Sequence, residues 1–170
     1  MRILTLLPLM ILVGCSSGPS KSEALEVFVA ATTTMSSAQE RAIDNAENST
    51  VVSPVVYALD FSGPCTLGGT LGVTGSYDAT GDGELATFDL TTAFRACQEA
   101  QGTLDGSLHW TSVADGTSFR ATMKGDLDFD GPNASASCDF NLSIAVTEQS
   151  VTYSGKLCGY SLDELGASKL

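Results

Sequence analysis

The sequence predicts a mainly β fold: a seven-stranded antiparallel up-and-down meander, strongly curved or partly closed into a barrel, with one N-terminal α-helix packed on it. Three observations carry this expectation. Residues 23 to 47 lack Gly and Pro and are rich in Ala, Glu and Gln, which favours a helix. After Asn48, glycine becomes frequent and apolar residues alternate with Thr, Ser and Asp at period two, the mark of half-buried strands. Links between successive runs are short, which leaves a meander as the simplest connection.

The helix has a defined start. Ser20 followed by Glu23 has the form of a capping box, in which each side chain satisfies the other residue's backbone amide. Leu25, Phe28, Met35, Ala38, Ala42 and Ala46 fall near one face, a thin stripe suited to core packing. Thr32, Thr33 and Thr34 weaken the middle through β-branching.

Seven strands follow. The first is Val51 to Phe61, with Val55, Tyr57, Leu59 and Phe61 on one side; Pro54 suits an edge or a strand beginning. The second, Thr66 to Tyr77, turns Leu67, Leu71, Val73 and Tyr77 inward. The third, Glu84 to Ala96, presents Ala86, Phe88, Leu90 and Phe94, and the fourth, Thr103 to Val113, presents Leu104, Leu108 and Trp110. The fifth, Thr117 to Asp130, presents Phe119, Ala121, Met123, Leu127 and Phe129. The sixth and seventh, Ser137 to Thr147 and Ser150 to Gly159, contribute Phe140, Leu142, Ile144, Val146, Val151, Tyr153 and Leu157, leaving residues 161 to 170 as a tail. A two-residue loop at Asp115-Gly116 pairs Ala114 with Thr117, and so sets Trp110 against Ala121, Leu108 against Met123 and Leu104 against Leu127. Inward residues meet inward residues, whereas a one-residue slip breaks every match. Glycines within strands, several on inward faces, point to strong coiling or to close approach of the helix.

The first residues carry an address. Arg2 supplies a positive start, and Ile3 to Val13 is apolar except for Thr5 and Pro8. That run fits a secretory h-region and falls short of the roughly 20 residues needed to span a bilayer. It closes on Leu12-Val13-Gly14-Cys15, which resembles the lipobox of bacterial lipoproteins. The resemblance implies that residues 1 to 14 are a signal peptide, that Cys15 is acylated, and that residues 15 to 22 form a lipidated tether. It places the mature protein in the cell envelope with the membrane as its partner through that lipid. Ser16 in place of Asp, by resemblance to enterobacterial sorting, favours the outer membrane. The strands at 51 to 160 resemble those of uncharacterised bacterial lipoproteins rich in Gly and Thr. Cys65-Thr66-Leu67-Gly68-Gly69-Thr70 and Ser154-Gly155-Lys156-Leu157-Cys158-Gly159 are among the segments that carry this resemblance. It implies a fold habit and no activity.

Charge and cysteine content narrow the function classes. Loss of Arg2 takes the net charge from −12 to −13, with no cluster of Lys or Arg to offset it, which excludes binding to a phosphate backbone. Cys65, Cys97, Cys138 and Cys158 lie 32, 41 and 20 residues apart, unlike the close pairs of a thiolate zinc site. An even number in an exported domain reads as two disulfides. In a meander all four gather at one end of the sheet, which favours Cys65 with Cys97 and Cys138 with Cys158; a closed barrel, bringing the first and last strands together, would instead join Cys65 with Cys158 and Cys97 with Cys138. Strand alternation puts only Cys65 and Cys138 inward, so the favoured pairing requires a bulge at a strand end to rotate a partner into reach.

Candidate chemistry is sparse. Asp78, Thr80, Asp82 and Asp89, with Gly83 at the sixth position, match the oxygen spacing of a calcium loop. The glycine-rich segment before it cannot form the incoming helix, and a hairpin turn explains the same residues. Asp126, Asp128 and Asp130, with Asp105 near Asp126, form an acidic outer face that is ordinarily just solvated. His109, the only histidine, points outward, and no triad or G-x-S-x-G is legible. The expectation is a non-catalytic envelope protein without cofactor, acting by structure or by interaction with an envelope partner. The alternative is a carrier of a small hydrophobic ligand or lipid on the concave face, lined by Phe88, Trp110, Phe119 and Phe129.

Overall fold

A computed structural model describes residues 18–47, 55–79 and 86–166. Helix α1 spans Lys21–Glu47, and the strands are β1 (Val55–Pro64), β2 (Gly68–Ala79), β3 (Ala86–Glu99), β4 (Gly102–Ala114), β5 (Ser118–Asp130), β6 (Ser135–Thr147), β7 (Ser150–Leu157) and β8 (Tyr160–Ser161). All eight strands form one antiparallel sheet in the order of the chain. The meander is therefore as expected, but it has eight strands instead of seven and does not close into a barrel. The additional strand arises at Cys158 and Gly159, whose φ angles of 49° and 85° are both positive. Two successive positive φ values make a tight hairpin turn, which pairs Leu157 with Tyr160.

The β4–β5 register differs from expectation by two residues. Ala114 pairs with Phe119, Trp110 with Met123, Leu108 with Gly125 and Leu104 with Phe129. The cause lies in the turn. The Asp115 carboxylate accepts from the backbone amides of Thr117 and Ser118 at 3.2 and 2.7 Å, and the Asp115 amide donates to the Ser118 carbonyl at 3.0 Å. Asp115 and Ser118 thus flank the loop, and Gly116-Thr117 becomes its tip. A shift of two residues preserves facing, so every inward assignment on these strands survives.

Glycine curls the sheet. Gly106 and Gly125 sit on inward positions of β4 and β5 with φ of 123° and 142°. A Cβ on Gly125 would lie 2.1 Å from the Ser107 carbonyl oxygen, and one on Gly106 would lie 2.3 Å from that of Asp126. Neighbouring backbones therefore approach to a distance that excludes any side chain. Opposite each glycine stands a leucine, Leu127 or Leu108, and both are buried.

Helix α1 lies in the resulting concavity and packs against β1, β2 and β6. It begins at the expected capping box: Ser20 N donates to Glu23 at 2.6 Å and Glu23 N donates to the Ser20 hydroxyl at 3.3 Å. The buried face keeps Met35, Ala38 and Ala42 of the expected stripe, with Phe28 packed against the core, and departs from it at Leu25. Ala24, Val27, Ala31, Met35, Ala38 and Ala42 are in the core, whereas Leu25 is 41% exposed. Small residues let the helix backbone approach the curled sheet, and the larger side chains are displaced to its flank. Leu67 is likewise overturned as an inward residue, being 66% exposed in the turn before the Gly68/Thr70 bulge. The C-terminal residues expected as a tail instead carry Leu162 and Leu165 against the core.

Both disulfides have the favoured local pairing, Cys65–Cys97 and Cys138–Cys158, with Cα separations of 5.4 and 4.3 Å. The required rotations occur at strand ends. Ala96, with φ of 45°, breaks the β3–β4 register between Phe94 and Cys97 and buries Cys97. Cys158 reaches its partner from the turn that precedes β8.

Candidate functional site

Because the helix covers β1 and β2 with small side chains, part of the concave face of β4 to β7 lies open beneath its flank. A cleft of about 480 Å³ results, within the range of roughly 300–1,000 Å³ typical of small-molecule sites. One wall is helical: Leu25, Phe28, Thr32, Met35 and Gln39 recur at spacings of three and four, a continuous stripe along α1. The opposite wall is formed by Trp110 of β4, Ala121 and Met123 of β5, Leu142 and Ile144 of β6, and Tyr153 of β7. Ser36, Thr122, Leu157, Leu162 and Leu165 complete the lining. The Tyr160 hydroxyl fastens this region by donating to the Pro19 carbonyl at 2.9 Å, with Lys21 over the Tyr160 ring.

Among the described residues the lining contains no ionisable side chain except Tyr153. Thr32 is already engaged, its hydroxyl donating to the Phe28 carbonyl at 2.7 Å. The Gln39 side chain is different: its Nε2 is shielded from solvent and has no hydrogen-bond partner among the described residues. Apolar groups are also exposed near the open edge, with Val151 at 52% and Tyr153 at 36% exposure. The cleft can therefore take up apolar surface, and of the polar groups that line it the Gln39 amide is the one that is shielded and without a partner among the described residues.

Of the four aromatic residues expected to line a ligand site, only Trp110 does so. Phe129 is in the core. Phe88 stacks on Tyr77 at 4.6 Å, and Tyr77 on Tyr57 at 5.7 Å, an aromatic ladder across β1, β2 and β3. Phe119 is half-buried and does not reach the cleft. The helical wall was not expected from the sequence, although its three-four spacing is readable there. Alanines at the neighbouring positions concealed which flank would be left uncovered.

The calcium reading loses its frame. Asp78 is the penultimate residue of β2 and Asp89 lies within β3, so strands flank the segment in place of helices. Thr80 and Asp82 lie outside the described residues. Asp89 accepts from or pairs with His109 Nε2 at 2.7 Å, and both side chains are exposed on the outer face. Asp105 sits opposite Asp128, not Asp126, and Asp126 sits opposite Asp139. Asp105 accepts from the Ala96 amide and Asp128 from the Ser137 hydroxyl. Cys65, Cys97 and Glu99 are the one group of potential metal ligands drawn close together among the described residues, and the disulfide removes both thiolates. Cys15 lies outside the described residues. No helix in the described residues is long and apolar enough to cross a membrane. No protein-family model, curated protein or solved structure matches this chain.

Proposed function

We propose that the chain is a non-catalytic, lipid-anchored protein of the bacterial cell envelope, with the outer membrane favoured, whose domain binds a small hydrophobic ligand. Anchoring rests on the resemblance of Leu12-Val13-Gly14-Cys15 to a lipobox, which would make Cys15 the acylated first residue of the mature protein. Several acyl chains hold far more firmly than one, since each buried methylene contributes about 0.8 kcal/mol. Ligand binding is supported by a single observation, the apolar cleft between the Leu25–Gln39 stripe and the concave face of β4 to β7. A docking surface without a ligand explains the anchor equally well but leaves that cleft without use.

Two measurements test the parts separately. Mass spectrometry of the purified membrane form should find Cys15 at the N-terminus with acyl groups attached, and Cys15→Ser should block that processing. A Cys15→Ser chain still cut before residue 15 and still membrane-bound contradicts the anchor. Solvent extraction of the folded protein should release a bound apolar molecule. A protein that yields none and binds no apolar dye is not a carrier.

A further inference from the structure

We propose that the cleft selects a single-chain apolar molecule bearing one uncharged hydrogen-bond acceptor, such as an ester carbonyl, and that Gln39 recognises that acceptor. This rests on the ligand-binding reading above and names the class of ligand. Shape gives the first argument. Leu25 to Gln39 is 15 residues, or 14 steps along α1, about 21 Å at roughly 1.5 Å per step. A wall of that length matches an extended chain better than a compact ring.

Charge gives the second. Among the described residues, no Lys, Arg or His lines the cleft. A carboxylate or phosphate drawn into it would be desolvated with no cation to pair with, so such a head group stays in water. An uncharged acceptor escapes that penalty.

The unused donor gives the third. Gln39 Nε2 has no partner among the described residues, although shielded donors are nearly always satisfied. The terminal amide torsion of glutamine is broad, so a small rotation turns the group toward the cleft. The Thr32 hydroxyl on the same wall is committed to Phe28. Leu162 and Leu165 lie toward the N-terminal end of α1, where Tyr160 binds Pro19, so Gln39 stands at the other end of the stripe. The acceptor therefore sits at one end of the chain and the hydrocarbon runs back along Met35, Phe28 and Leu25.

Trp110, the only tryptophan of the chain, lines the cleft and reports occupancy by its fluorescence. The full chain is titrated with methyl decanoate, decanoate and undecane at neutral pH. The ester should bind about tenfold tighter than the alkane, and decanoate no tighter than the alkane. Gln39→Leu should abolish the preference for the ester over the alkane; Gln39→Met, unbranched and of similar length, gives the same readout if the leucine variant fails to fold. Equal binding of ester and alkane overturns the proposal, as does tightest binding of decanoate or an ester preference that survives both variants. If none of the three ligands alters Trp110 fluorescence, the ligand-binding reading itself fails.

Discussion

Thr92 has a buried side chain on the inward face of β3, between Val73 and Leu108, and its hydroxyl has no hydrogen-bond partner among the described residues. A polar group removed from water without compensation weakens the fold, so Thr92→Val, nearly the same shape, should stabilise the protein by about 1 kcal/mol. Urea denaturation measures this, and a lower midpoint for the variant contradicts it. Exposed carboxylates act in the opposite sense. Donors on Ser118 and Thr117 hold the Asp115 pKa below its ordinary value, and Ser20 and Ser161 do the same for Glu23 and Glu164. A lowered folded-state pKa contributes stability that is fully present above the ordinary carboxylate pKa and is lost as pH falls through it. The stability difference between the natural chain and Asp115→Asn should therefore be largest near pH 7 and shrink as the pH is lowered through the carboxylate range. A difference that grows on acidification sinks this account.

At the scale of elements, the strands and the helix are governed by close approach. Gly125 permits β4 and β5 to meet where a Cβ would strike the Ser107 carbonyl oxygen, and its φ of 142° disfavours any other residue. Gly125→Ala should cost about 2–3 kcal/mol, because strained backbone and a displaced neighbouring strand add. Thermal unfolding decides it, and a loss below about 0.5 kcal/mol would show that the sheet does not need that kink. Helix α1 follows the same logic from the other side. Its buried alanines bring it down onto the curled sheet, and the displaced Leu25 and Phe28 become cleft wall instead of core. Period-two alternation was legible for β2 to β6 because one face of each is buried. It failed at β7, which is exposed from Ser150 to Lys156: alternation marks which face turns inward, not whether anything lies there to cover it.

For the whole molecule, the net charge of −12 is concentrated in part where the outer face sets Asp105 opposite Asp128 and Asp126 opposite Asp139. Like charges directly opposed across strands destabilise a sheet, and salt screens them. Raising potassium chloride from about 10 mM to about 150 mM shortens the Debye length from roughly 30 to 8 Å and should stabilise the fold by about 0.5–1 kcal/mol. A melting temperature that is flat or falls with salt contradicts this. Sequence by itself determined the class of fold, the sheet in chain order, the capped helix and the inward face of β4 to β6, and it favoured the disulfide pairing that the structure has. Those properties follow from local periodicity, turn residues and the antiparallel geometry that gathers the cysteines at one end. Tertiary structure alone decided the β4–β5 register, the eighth strand, the openness of the sheet and the cleft. Each depends on a side-chain or backbone contact between distant or competing groups: Asp115 capturing Ser118, Cys158 bending toward Cys138, and alanines lowering α1 until its larger residues stand aside. Phe88, Trp110, Phe119 and Phe129 have the same inward parity, yet only Trp110 faces the cleft. Which inward residue remains uncovered is set by where the helix comes to rest, and alternation along a strand holds no information about that.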